Sequence, residues 1–154
     1  MVKHLWRSLL IVLTAATLAT AADTPVPASA PADRDLAEAR TRIAAKDWTS
    51  ARDVMQKAVA REPGNADYHN LLAYSIRHTA SPNMDVVFKH YGEALRIDPK
   101  HKGVHEYIGE AYLLVGNVAK AKEHLAALDK LCFFSCGEYR DLKKAIQEYE
   151  ARKK

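Results

Sequence analysis

Two cysteines and seven histidines are the side chains in this 154-residue sequence whose spacing could support chemistry. Cys132 and Cys136 stand four apart. Thiols at that separation can close a disulfide, act as a reactive pair sharpened by a helix N-terminus, or supply two ligands of a metal site. All three readings are open from the residues alone. The spacing is neither C-x-x-C nor C-x-x-C-H, so thioredoxin-like exchange and haem attachment lack their motifs. His101 and His105, with Glu106 beside them, are also four apart and would share one helical face as metal ligands do. However, His101 follows Pro99 in a turn, and Glu106 is followed by Tyr107 and Ile108, so no HExxH motif exists. His78, His90 and His124 lie on different helices without a spacing pattern. No Gly-rich phosphate loop, catalytic carboxylate pair or nucleophile–base arrangement occurs, which points to a non-catalytic protein without a cofactor or a dedicated metal.

The elements that would position these residues are helices. Lys102 to Leu128 reads KGVHEYIGEAYLLVGNVAKAKEHLAAL, with Ile108, Gly109 and Tyr112 on a first helix, Gly116 at a turn, and Ala121 and Leu125 on a second. Leu72, Ala73 and Ile76, then Tyr91, Ala94 and Pro99, repeat the pattern upstream, with Leu72 and Ile108 36 residues apart. Ala39, Trp48, Ala51, Met55, Ala58 and Pro63 give a weaker first copy. Ala51, Val87 and Ala121 share one small-residue slot where two helices approach closely. This pattern resembles the tetratricopeptide repeat, a helix-turn-helix with a period of about 34 residues. The extra two residues of the middle copy fit the turn near Ser81 to Asp85, since an insertion inside a helix would break its register.

The resemblance implies an all-α fold: a right-handed α-α superhelix of three such repeats, about 33–65, 66–101 and 102–131, closed by a capping helix at about 136–152. Ser135-x-x-Glu138 reads as a capping box, and Tyr139, Leu142, Ile146 and Tyr149 recur on one face of that helix. Such a cap covers the exposed apolar side of the last repeat, as solubility of a repeat array requires.

The first 21 residues read as a signal peptide. Lys3, His4 and Arg7 precede the apolar run Ser8 to Ala19, and Ala19-Thr20-Ala21 has the form of a peptidase site. A run of about 12 apolar residues is too short to span a bilayer, which takes roughly 20. Residues 22–33, rich in Pro, Ala and Ser, read as a linker, leaving 34–152 for the repeat domain. The chain carries 23 Lys+Arg against 19 Asp+Glu; loss of a leader holding Lys3 and Arg7 leaves 21 against 19, so the +4 net charge is no nucleic-acid signal. Periplasmic or secreted localisation follows as the expectation, with no stable membrane span after cleavage.

In the tetratricopeptide family the first helix of each repeat lines a concave groove that receives a peptide or partner helix. The resemblance therefore implies groove positions at Asp67, Asn70, Tyr74, Arg77 and His78, and at Gly103, Glu106, Glu110, Leu113 and Leu114, with Arg40 from the first repeat. Tyr74 and Arg77 are the expected anchors, and the Glu106/Glu110 pair would favour a basic or amide-rich ligand. The expected function is a scaffold or adaptor for a protein or peptide partner in the cell envelope, with the chain a monomer or weak homo-oligomer. The alternative is a redox or metal-handling envelope protein centred on Cys132 and Cys136.

Overall fold

The computed structural model describes residues 33–134 and 136–153. The expected leader, most of the linker and Ser135 lie outside the described residues. Among those described, seven helices run in order and no strand occurs: α1 Arg34–Ala44, α2 Trp48–Arg61, α3 Ala66–Arg77, α4 Met84–Ile97, α5 Lys102–Leu114, α6 Val118–Leu131 and α7 Gly137–Ala151.

Local chemistry sets most of these starts. The N-caps of α1 to α6 are Asp33, Asp47, Asn65, Asn83, His101 and Asn117, and each side chain accepts an otherwise unpaired N–H of the first turn. Gly116 turns the chain between α5 and α6 at φ 79°, and Lys46 holds the same left-handed position between α1 and α2 at φ 58°. The SPNMD stretch divides between elements: Asn83 caps α4, whereas Met84 and Asp85 are already helical.

Each helix packs on its sequence neighbours. In addition α1 touches α3, α3 touches α5 and α5 touches α7, while α2, α4 and α6 make no such mutual contacts. The odd-numbered helices therefore crowd one side and the even-numbered ones fan outward, which curves the stack and makes the odd-numbered face concave.

The core is three clusters at successive junctions. Leu36, Ala39, Met55, Ala58, Tyr68 and Leu72 hold the first repeat to the second. Ala73, Val87, Tyr91, Ala94, Val104 and Ile108 hold the second to the third. Leu113, Ala121, Leu128, Leu142 and Ile146 seat α7. Gly109 explains how closely α7 fits, because a Cβ there would lie 2.6 Å from Leu142 Cδ2 and 2.7 Å from Cδ1. The thin first helix gains a polar tie as well: the Tyr68 hydroxyl donates to Asp33 Oδ2 at 2.6 Å, which lowers the Asp33 carboxyl and pushes the Tyr68 phenol up to about 12.

The capping-box reading rests on Ser135, which lies outside the described residues. Helix α7 begins at Gly137 with Cys136 as its N-cap, and the Cys136 side chain makes no cap hydrogen bond. The Cys136 sulfur is engaged with Cys132 instead.

Candidate functional site

On the concave side, α3 and α5 bring an aromatic and charged cluster together. Tyr74 and Tyr107 pack with ring centroids 4.6 Å apart. The Arg77 guanidinium carbon lies 5.3 Å from the Tyr74 ring and 5.9 Å from that of Tyr107. Its Nη2 donates to Glu110 Oε2 at 2.7 Å. Trp48, at the start of α2, stacks on His78 at 4.6 Å and meets the edge of Tyr74 at 6.1 Å. His78 Nδ1 donates to the Tyr74 carbonyl at 2.9 Å, which fixes the hydrogen on that nitrogen.

Two hollows open on this face. One, of about 330 Å³, is lined by Arg40, Ile43, Ala44, Leu71, Tyr74 and Tyr107, thus by α1, α3 and α5. The other, of about 210 Å³, lies between α3, α5 and α7 beside Arg77, Glu110, Leu114, Ala145 and Arg152. The groove therefore spans from the first repeat to the cap.

The expected site residues fall into distinct settings. Tyr74, His78, Glu106 and Glu110 are half-buried along the groove. Arg77, the expected anchor, is only 7% exposed, and its guanidinium is already committed to Glu110. It forms the floor of the groove and is no free hook for a ligand. Asn70 is 4% exposed, with an Oδ1 that has no hydrogen-bond partner, as is also true of Arg77 Nε. Leu113 points largely into the α7 junction, 8% exposed, and only edges the second hollow. Asp67 accepts from His101 Nε2 at 3.1 Å, tying α3 to the cap of α5.

Electrostatically the groove is acid-lined at α5. Burial pushes the Glu106 carboxyl up to about 7, reinforced by Glu110, Asp141 and Glu138. Arg77 opposes this, but it is spent on Glu110. Burial likewise pushes Tyr107 up to about 12, with Glu106 adding to the effect. A cation brought to Glu106 would meet a carboxylate wall in a partly desolvated setting, where charge pairing is stronger than in open water.

The histidines do not gather as a metal site. His101 accepts from the Val104 N–H through Nδ1 and donates to Asp67 through Nε2, while His105 turns away to α6. Among the described residues no three His, Cys, Asp or Glu side chains are placed to share a metal ion. His90 and His124, which showed no pattern on their own helices, prove to be the partners of His69 and His105, with Nδ1 to Nδ1 distances of 2.9 Å in both repeats. The overlooked signal was the offset between copies: 36 residues from His69 to His105 and 34 from His90 to His124. Cys132 and Cys136 have their sulfurs joined, with Cα atoms 5.6 Å apart, across the turn between α6 and α7. Phe133 and Phe134 on that turn are 93% and 82% exposed. No helix of the described residues is long and apolar enough to cross a membrane.

No family model matches the chain. Over 98 residues, 63% of its length, it is 29% identical to an inactive TPR repeat-containing thioredoxin of Arabidopsis thaliana, of which it spans only 13%. Its architecture is similar to the type III secretion translocator chaperone SycD of Yersinia enterocolitica, at 15% identity and TM-score 0.64, covering 78% of this chain and 92% of that one. The same chaperone in complex with a peptide of the translocator YopD aligns at 14% identity and TM-score 0.63, with the same shares of each chain.

Proposed function

The chain has the tetratricopeptide-repeat fold, and from that premise we propose that it is a non-catalytic adaptor of the cell envelope that holds a peptide or partner helix in its concave groove. The observation that carries this reading is the pair of hollows on the concave face, one reaching Arg40 and the other Arg152, with the Tyr74–Tyr107–Arg77 cluster between them. Half-buried aromatics beside a fixed charge pair supply contact area at low entropic cost, as binding hot spots do. SycD, which shares the fold, has been captured with a peptide of its translocator, and that supports a peptide ligand here.

The groove chemistry names the kind of ligand. Rigid aromatic faces at Tyr74 and Tyr107 suit apolar or planar side chains, and the carboxylates around Glu106 suit Lys, Arg or an amide at the α5 end. Arg77 serves by holding Glu110 and the two rings in place. Envelope localisation rests on the signal-peptide pattern of residues 1–21, and the joined sulfurs of Cys132 and Cys136 support an oxidising compartment. In this reading the cysteine pair is a structural staple at the α6–α7 turn.

A photo-crosslinking residue placed at Tyr74, compared with one at exposed Gln56 on α2, tests the groove. Adducts formed in the cell envelope at position 74 but not at 56 are expected. Equal capture at both positions, or none at 74, overturns the placement.

A further inference from the structure

The two histidine pairs have a role the groove does not use. His69 on α3 and His105 on α5 are 5% and 8% exposed and make the same contacts one repeat apart. Their Nε2 atoms lie 3.0 Å from the Pro63 carbonyl and 3.1 Å from the Pro99 carbonyl. Their Nδ1 atoms lie 2.9 Å from Nδ1 of His90 on α4 and of His124 on α6.

These contacts fix the hydrogens. A carbonyl can only accept, so Nε2 of His69 and of His105 must donate. A neutral imidazole carries one N–H, which leaves Nδ1 of each inner ring as a bare acceptor. The outer rings, His90 and His124, must then carry hydrogen on Nδ1. Each pair is a one-way chain, from the outer Nδ1–H to the inner Nδ1, then from the inner Nε2–H to the proline carbonyl. It ties together the second helix of a repeat, the first helix, and the turn that closes the preceding repeat.

The same bookkeeping of hydrogens limits what a pair can absorb. One added proton can go to Nε2 of the outer ring and leave both hydrogen bonds intact. A second must go to the inner Nδ1, where it would face the outer N–H across 2.9 Å and destroy the contact. The surroundings offer little help to a charged pair. His90 faces His69 of α3, Lys89 and Glu93 of its own α4, and the neutral Gln56, Val59 and Ala60 of α2. Glu93 is already held by Arg96 at 2.7 Å. His124 faces His105 and Tyr112 of α5, with Lys120 and Glu123 of α6, and those last two pair with each other at 2.7 Å.

We propose that the two imidazole pairs are acid-weakened latches, which hold repeats two and three closed while both rings are neutral, lose strength as the desolvated outer rings take up a proton with no free carboxylate beside them, and do not survive a second. The direction of the outer-ring shifts agrees: burial lowers His90, and burial with the neighbouring His105 lowers His124 to about 4. Because both folded-state values lie below that of an unfolded histidine, the stability they represent is present above pH 6.5 and declines below it, that of the His124 pair being lost as pH falls through about 4.

Nitrogen-15 imidazole correlation spectra of the full chain at pH 7.5 test the geometry directly. Hydrogen on Nε2 of His69 and His105 and on Nδ1 of His90 and His124 is expected; the ordinary Nε2–H form at both outer rings overturns the proposal. Function of the latch is tested by melting from pH 7 to 4.5 in the Glu106→Gln background, which removes a carboxyl that titrates in the opposite sense. The fall in Tm should be at least halved by His90→Gln with His124→Gln, since Gln can still donate to the inner ring but takes up no proton. An undiminished fall overturns it.

Discussion

The front and back of the first helices of repeats two and three follow opposite rules. On the back, His69 recurs as His105, Leu72 as Ile108 and Ala73 as Gly109, and the contacts recur with them. On the front, Asn70 is replaced by Glu106, Tyr74 by Glu110, Arg77 by Leu113 and His78 by Leu114. The Arg77–Glu110 pair therefore exists once, and it joins the two repeats where the histidine pairs lie within each. Polar contacts that recur with the period belong to the architecture, because every repeat must solve the same packing problem. Those that occur once need another reason, and the groove supplies it.

The largest expected effect falls on the unrepeated side. Arg77→Ala should cost about 3 kcal/mol in urea unfolding, toward the low end for breaking a buried ion pair because Glu110 keeps some water contact. A loss under about 1 kcal/mol would mean that the pair behaves like an exposed surface bridge. On the back, His105→Leu leaves the Pro99 carbonyl and the His124 N–H without partners and should cost about 2 kcal/mol. His69→Leu should match it; a clear inequality between the two would break the claim that the back is periodic. Smaller again, Asn83→Ala and Asn117→Ala each remove a cap that accepts from Val86 and Lys120, at about 1 kcal/mol apiece.

The smallest effect is also the one that separates the two faces by sign. Glu106 has its folded-state value raised from 4.5 to about 7, so its contribution is fully present below pH 4.5 and is lost as pH rises through about 7. Glu106→Gln should therefore raise Tm above pH 7 and leave it unchanged near pH 4. The proposed latches behind those helices weaken in the opposite direction, as acid is added, through His90 of α4 and His124 of α6. A melting profile in which Glu106→Gln shows no gain at pH 8 would remove the contrast.

The all-α repeat fold was legible in the sequence because packing imposes it on residue size: Ala51, Val87 and Ala121 must be small wherever two helices meet, and Gly109 must be smallest where Leu142 seats. The groove was legible as a face but not as a landscape. Arg77 looked like a free anchor because its partner, Glu110, stands 33 residues away in the next repeat, and a slot-by-slot reading treats each repeat alone. His90 and His124 were missed for a related reason. Each looks isolated on its own helix, and only a comparison of the copies shows that both rings of each pair move together along the chain.

Trp48 gives the molecule an optical reporter of its own. The sequence has two tryptophans, and Trp6 lies in the expected leader, so a processed chain would carry a single indole, stacked on His78 and set against Tyr74 at the groove. Burial lowers His78, with Arg77 adding to the effect, so its ring is neutral at physiological pH and becomes a quenching cation only in acid. Emission from that indole at neutral pH would register a guest displacing water beside Tyr74, without any label. Its decline on acidification, at pH values where the helical signal is still intact, would record protonation of the groove histidine.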